Sequence, residues 1–157
     1  MPTIDSDAHV IENERTWSYL AAEEAAFRPK RLIQVEGELS RSNRGAPSKE
    51  WWMFDKNFQP ADRNINQEET TSESREMANV GQRIEHMDRL AIDLQVLYPT
   101  IFLNPMWEDV DGEAALYRSY NRWLADIWKQ APTRLRWAAM VPLHSLHKAR
   151  EIGRAHV

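Results

Sequence analysis

The feature that most constrains the fold is a repeated alternation in the second half of the chain, in which an amphipathic helix is followed by a short apolar strand ended by proline. Leu94-Gln95-Val96-Leu97-Tyr98 stops at Pro99, and Leu135-Arg136-Trp137-Ala138-Ala139-Met140-Val141 stops at Pro142. Proline has no N–H to give a ladder, so it bounds strands that are buried inside a sheet. Ahead of the first strand, Met77, Val80, Ile84, Met87 and Ala91 recur at spacings of three and four, the period of one helical face. Between the strands, Leu116, Tyr120, Trp123 and Ile127 predict a second helix over about Asp111 to Gln130, with Pro132 beyond its end. At the N-terminus, Thr3 to Ile11 has apolar ends and polar groups between, which predicts a strand over about 2–8. Asn13 is placed to cap a helix over Glu14 to Phe27 that ends before Pro29. Strand, helix, strand, helix, strand predicts a parallel sheet with right-handed crossovers.

Between about 31 and 71 the pattern loses its period. Arg41 to Ser48 is rich in turn residues, Gln59 to Asn64 forms another break, and Glu50-Trp51-Trp52-Met53-Phe54-Asp55 predicts one small strand in an elaborated loop. Closing a (β/α)₈ barrel takes about 250 residues, so the expected fold is α/β. It is the N-terminal portion of a TIM-type barrel over 1–151, with about three strands and a loop-rich insertion after the first.

Composition narrows the partners. The 157 residues are 42% hydrophobic and 28% charged, within the ordinary globular range. The net charge of -4, with no long single-sign block, argues against a nucleic-acid footprint. The absence of cysteine removes disulfides, thiolate nucleophiles and thiolate zinc sites, leaves any metal to histidine and carboxylates, and fits a reducing cytoplasm. Neither a basic leader with an apolar run nor a stretch of about 18 apolar residues is present, so no membrane partner is expected. The expected partner is a small-molecule substrate, with a homo-oligomer left open for the full-length protein.

Catalytic groups of parallel barrels sit at the C-terminal ends of strands. Asp7 and His9 occupy that place on the first strand, and residues two apart in a strand point to one side, so a carboxylate and an imidazole can share an ion. Oxygen and nitrogen donors suit one divalent metal, Zn²⁺ first, with Mn²⁺ or Fe²⁺ as alternatives. An Asp-x-His triplet alone is more often a turn aspartate beside a partly buried histidine, and the strand-end position is what raises it. Glu12, just beyond His9, is a candidate to orient a ligand or line the pocket. Thr100 and Asn104 follow the second strand, where a substrate would meet them, although turn chemistry explains both equally well. Trp52, with Trp51, either covers the pocket or builds a small satellite core. His144-x-x-His147 has metal-pair spacing only if a helix begins there, and His86 lies off the apolar stripe, toward solvent.

Longer runs carry a resemblance. Ile4-Asp5-Ser6-Asp7-Ala8-His9-Val10-Ile11-Glu12 resembles the opening strand of the amidohydrolase-2 branch of the amidohydrolase superfamily, the branch with aminocarboxymuconate-semialdehyde and resorcylate-type decarboxylases. Arg83 to Thr100 is similar to that branch's first barrel helix and second strand, Tyr120 to Asp126 to its next helix, and Arg134 to Leu143 to its third strand. The resemblance covers nearly all of the chain outside the insertion, where only Trp51 to Asp55 is similar. It implies that Asp7 and His9 bind the catalytic divalent metal, with Asp7 standing where a histidine is commoner. The family's other ligands come from later strands, as does its acid/base histidine, and these have no counterpart here, so the catalytic residues are unknown. The implied activity is a metal-dependent lyase or hydrolase of a small carboxylated or cyclic substrate, with decarboxylation slightly preferred and this fragment itself inactive. A different class remains open, a non-catalytic interaction protein without a metal site. Ile152-Gly153-Arg154-Ala155-His156-Val157 resembles one reading frame of a sequencing-library adapter, so 152–157 is expected to be an artefact.

Overall fold

A computed structural model describes residues 1–35, 38–40, 48–61, 69–103 and 108–154. It contains a three-stranded parallel sheet and a four-stranded antiparallel sheet. The parallel sheet runs in the order β1 (Ile4–His9), β6 (Leu94–Tyr98), β7 (Leu135–Trp137). Its two crossovers carry helix α3 (Val80–Arg89) and helix α4 (Val110–Trp128). Gln95 and Leu97 are buried while Leu94, Val96 and Tyr98 are half-exposed, so one face of the sheet is covered and the other is more open.

The helix expected over 14–27 is broken. Asn13 caps α1 (Glu14–Trp17), accepting from the Arg15 amide at 2.8 Å, and the α-helix ends there. The Ser18 hydroxyl donates to the Arg15 carbonyl at 2.6 Å, a local bond that competes with helical continuation. The chain resumes as a 3₁₀ turn over Ala22–Phe27, whose Glu24 carboxylate accepts from the Ala21 amide and pairs with Arg118 of α4. The third strand is shorter than its apolar run. Beyond Trp137 the backbone is held by a side chain, because buried Asn121 of α4 accepts from the Met140 amide at 2.9 Å and donates to its carbonyl at 2.8 Å.

The insertion is more regular than its sequence. β2 (Lys30–Val35), β3 (Glu38–Ser40), β4 (Ser48–Phe54) and β5 (Asn57–Pro60) form the antiparallel sheet in the order β3-β2-β4-β5. Pairing of Phe54 with Asn57 leaves Asp55 and Lys56 as a two-residue turn, and Asp55 takes φ 50°, a left-handed conformation that aspartate tolerates. Trp52 and Phe54 of β4 point into the core. There Trp17 stands edge-on to both at 5.7 Å and to Phe102 at 5.8 Å. This aromatic cluster joins the inserted sheet to the helical layer. After it, α2 (Ser72–Arg75) leads into α3, and α5 (Leu146–Arg154) closes the described chain with Ile152 buried; residues 155–157 lie outside the described residues. No helix among the described residues is long and apolar enough to cross a membrane.

Candidate functional site

The C-terminal end of β1 carries the site. β1 has one residue more than β6 between the pairs Asp5–Gln95 and Ala8–Leu97, a bulge that re-aims the side chains beyond it. Asp5 and Ala8 therefore share the covered face with Gln95 and Leu97. His9 pairs with Tyr98 on the open face, its ring centroid 6.2 Å from the tyrosine's. Asp7 is exposed, and its Oδ1 lies 3.6 Å from Nε2 of His9. Two ligand atoms each about 2.0–2.2 Å from a tetrahedral ion lie about 3.4 Å apart, so the Asp7–His9 separation suits one shared ion. Among the described residues no cluster of three histidine, aspartate or glutamate side chains gathers around a common point.

The state of His9 follows from its second nitrogen. Nδ1 lies 2.8 Å from the Pro99 carbonyl oxygen, which can only accept, so Nδ1 carries the proton. In the neutral ring Nε2 then holds the lone pair, on the side of Asp7. This is the tautomer a metal-binding or proton-accepting imidazole needs.

Asp7, His9 and Thr100 line a cavity of about 390 Å³ along β1, together with Asp5, Arg75, Arg83 and His86. That volume accommodates a small molecule. Thr100 also ties the two strand ends, its hydroxyl donating to the Val10 carbonyl at 2.7 Å. His86 is partly buried at the edge of the cavity, and burial followed by Arg89 and Arg83 lowers its pKa.

Glu12 does not line the cavity. It is fully buried, and Oε2 accepts from the backbone amides of Thr100 at 3.2 Å and Ile101 at 3.0 Å. Burial raises its pKa from 4.5 to about 7 against the opposing pull of these amides. Trp52 is 3% exposed within the aromatic core, and Asn104 lies outside the described residues. His144 and His147 face separate carboxylates, Glu113 at 3.1 Å and Glu151 at 3.6 Å, and α5 begins only at Leu146, so the two imidazoles share no helical face.

Three residues of the cavity wall escaped the sequence reasoning. Buried Arg83 donates from Nε to Gln95 Oε1 at 2.8 Å and from Nη2 to the His9 carbonyl at 3.2 Å, and Gln95 Nε2 donates to Asp5 Oδ2 at 2.9 Å. This network reaches the backbone of His9 from the covered face. Its available signal was Gln95, one polar residue inside an apolar strand.

No family model matches the sequence, and comparison with curated proteins finds no match. The fold is similar to the crystal structure of an amidohydrolase from Mycobacterium avium subsp. paratuberculosis K-10, with a TM-score of 0.66 at 15% sequence identity. The alignment covers 99% of this chain and 46% of that one, so the chain spans about half the length of the protein it matches and shares the fold of that part.

Proposed function

We propose that the chain is part of a metal-dependent enzyme of the amidohydrolase type, with Asp7 and His9 as the first two ligands of one divalent ion. Zn²⁺ is the first expectation and Mn²⁺ or Fe²⁺ the alternatives, since the donors are one oxygen and one imidazole nitrogen. The observation that carries the proposal is the 3.6 Å approach of Asp7 Oδ1 to Nε2 of His9 at a parallel strand's C-terminal end, with Nδ1 turned to the Pro99 carbonyl. A bound divalent ion would activate water or stabilise charge developing on substrate oxygens. The chain's own residues hold the imidazole in one tautomer and enclose a cavity sized for a small substrate. The preferred reaction is decarboxylation, then hydrolysis, of a small carboxylated or cyclic compound, completed by ligands and an acid/base group from further strands of the full-length protein.

The test is metal analysis of the full-length protein and its His9→Ala variant after purification and Zn²⁺ loading. Close to one ion per chain in the parent and a large loss in the variant are expected. Equal metal content in the two would remove His9 from the site.

A further inference from the structure

The Pro99 carbonyl that sets the tautomer of His9 belongs to a segment held from beneath by a buried acid. Glu12 leaves β1 three residues after His9, is 1% exposed, and receives the amides of Thr100 and Ile101 on Oε2. These are the two residues that follow Pro99. A carboxylate accepting adjacent amides fixes the peptide planes on either side of them, and the plane before Thr100 contains the Pro99 carbonyl. The Thr100 hydroxyl on Val10 and the Val10 amide on the Tyr98 carbonyl at 3.0 Å complete a closed ring of bonds between the two strand ends.

Burial of an acid in this place is unfavourable unless it is well bonded. Its other oxygen, Oε1, has no hydrogen-bond partner among the described residues, and neither has Tyr120 Oη of α4, which is fully buried and whose ionisation Glu12 opposes. Tyr120 is the titratable side chain that acts on Glu12 from α4, whereas the segment after β6 turns backbone amides toward it. An apolar residue at position 12 would fill the space without that penalty, so packing alone does not explain a glutamate.

We propose that Glu12 is a positioning residue for His9, holding the 99–101 backbone so that the Pro99 carbonyl takes the Nδ1 proton and leaves Nε2 bare beside Asp7. Its consequence for metal binding rests on the function proposed above, but the positioning is a property of the protein without metal. Loss of the negative charge on Glu12 weakens its hold on the two amides, so the arrangement is proton-linked.

The experiment is NMR of the metal-free full-length protein with its Glu12→Ala and Glu12→Gln variants. Long-range ¹H–¹⁵N spectra read the His9 tautomer, and amide exchange reads the hold on Thr100 and Ile101. Glu12→Ala is expected to mix the His9 tautomers and speed exchange at the two amides about tenfold or more, while Glu12→Gln, whose carbonyl can still accept, restores most of both. An unchanged His9 tautomer in Glu12→Ala, with α4 signals intact, overturns the proposal, as does a Glu12→Gln variant as disturbed as Glu12→Ala. If Glu12→Ala does not fold, the parent and Glu12→Gln are compared across a pH series. The Thr100 and Ile101 amide signals should move with a midpoint near Glu12's value of about 7 in the parent and stay still in the variant, and equal movement in both overturns it. Absence of Zn²⁺ binding with an intact tautomer would sink the metal reading and leave the positioning role standing.

Discussion

Arg83 Nε donates to Gln95 Oε1 at 2.8 Å in the wall of the candidate cavity, and both side chains are buried. The glutamine passes the bond on to Asp5, while the same guanidinium holds the His9 carbonyl. Replacing Gln95 by Leu leaves Nε of the buried guanidinium without an acceptor, which costs about 2 kcal/mol. Denaturant titration should show that loss for Gln95→Leu, and the double variant Arg83→Met with Gln95→Leu should recover part of it. A double variant less stable than the sum of the two single losses would show that the pair is not coupled in this way.

The stability of the protein should fall as pH rises through neutrality at Glu12. Its folded pKa is raised from 4.5 to about 7 by burial, so the native state binds this proton more tightly than the unfolded chain. That contribution is fully present below 4.5 and is lost as pH rises through 7. A shift of this size is on the order of 3 kcal/mol. Thermal melts at pH 5 and pH 8 should therefore show a steeper decline for the parent than for Glu12→Gln, whichever starts higher. Parallel declines would place the pH dependence elsewhere.

How much was legible from the residues depended on whether one face of an element decided its pattern. Leu94 to Tyr98 and α4 read correctly because burial imposes a period that local sequence repeats. The inserted sheet did not, since β2 and β4 mix charged residues with Trp and Ile, and their order comes from cross-strand pairing over a long connection. Met77 sits on the apolar period of α3 but lies before its cap, at φ 53°, because Asn79 starts the helix two residues later. At the site, Asp7 and His9 could be named from their strand position, whereas Glu12's burial and the Arg83–Gln95–Asp5 network depend on bonds between residues as many as 90 positions apart.

The end of α3 contains a correctable strain. Ala91 has φ 54° just past the C-cap Leu90, its amide bonds the Asp88 carbonyl at 3.2 Å, and the Ile92 amide bonds the Met87 carbonyl at 2.9 Å. This is the Schellman arrangement, in which glycine is favoured because the left-handed residue has no Cβ to crowd. Ala91→Gly should stabilise the protein by about 0.5–1 kcal/mol, since relief of strain outweighs the added freedom of the unfolded chain. A rise in melting temperature checks it, and a fall would mean that the Ala91 methyl contributes more by packing than it costs in strain.

Trp17 should be the residue on which the union of inserted sheet and helical layer depends most. It has no exposed surface and meets Trp52, Phe54 and Phe102 edge-to-face, so truncation opens a large cavity between two layers. Trp17→Ala is expected to cost about 3–5 kcal/mol. Trp17→Phe should cost less than half as much, because it keeps an aromatic edge in the cluster and removes Nε1, a buried donor with no acceptor among the described residues. Urea titrations followed by far-UV circular dichroism distinguish the two substitutions. Equal losses for Ala and Phe would mean that the full indole volume, rather than any aromatic edge at this position, holds the layers together.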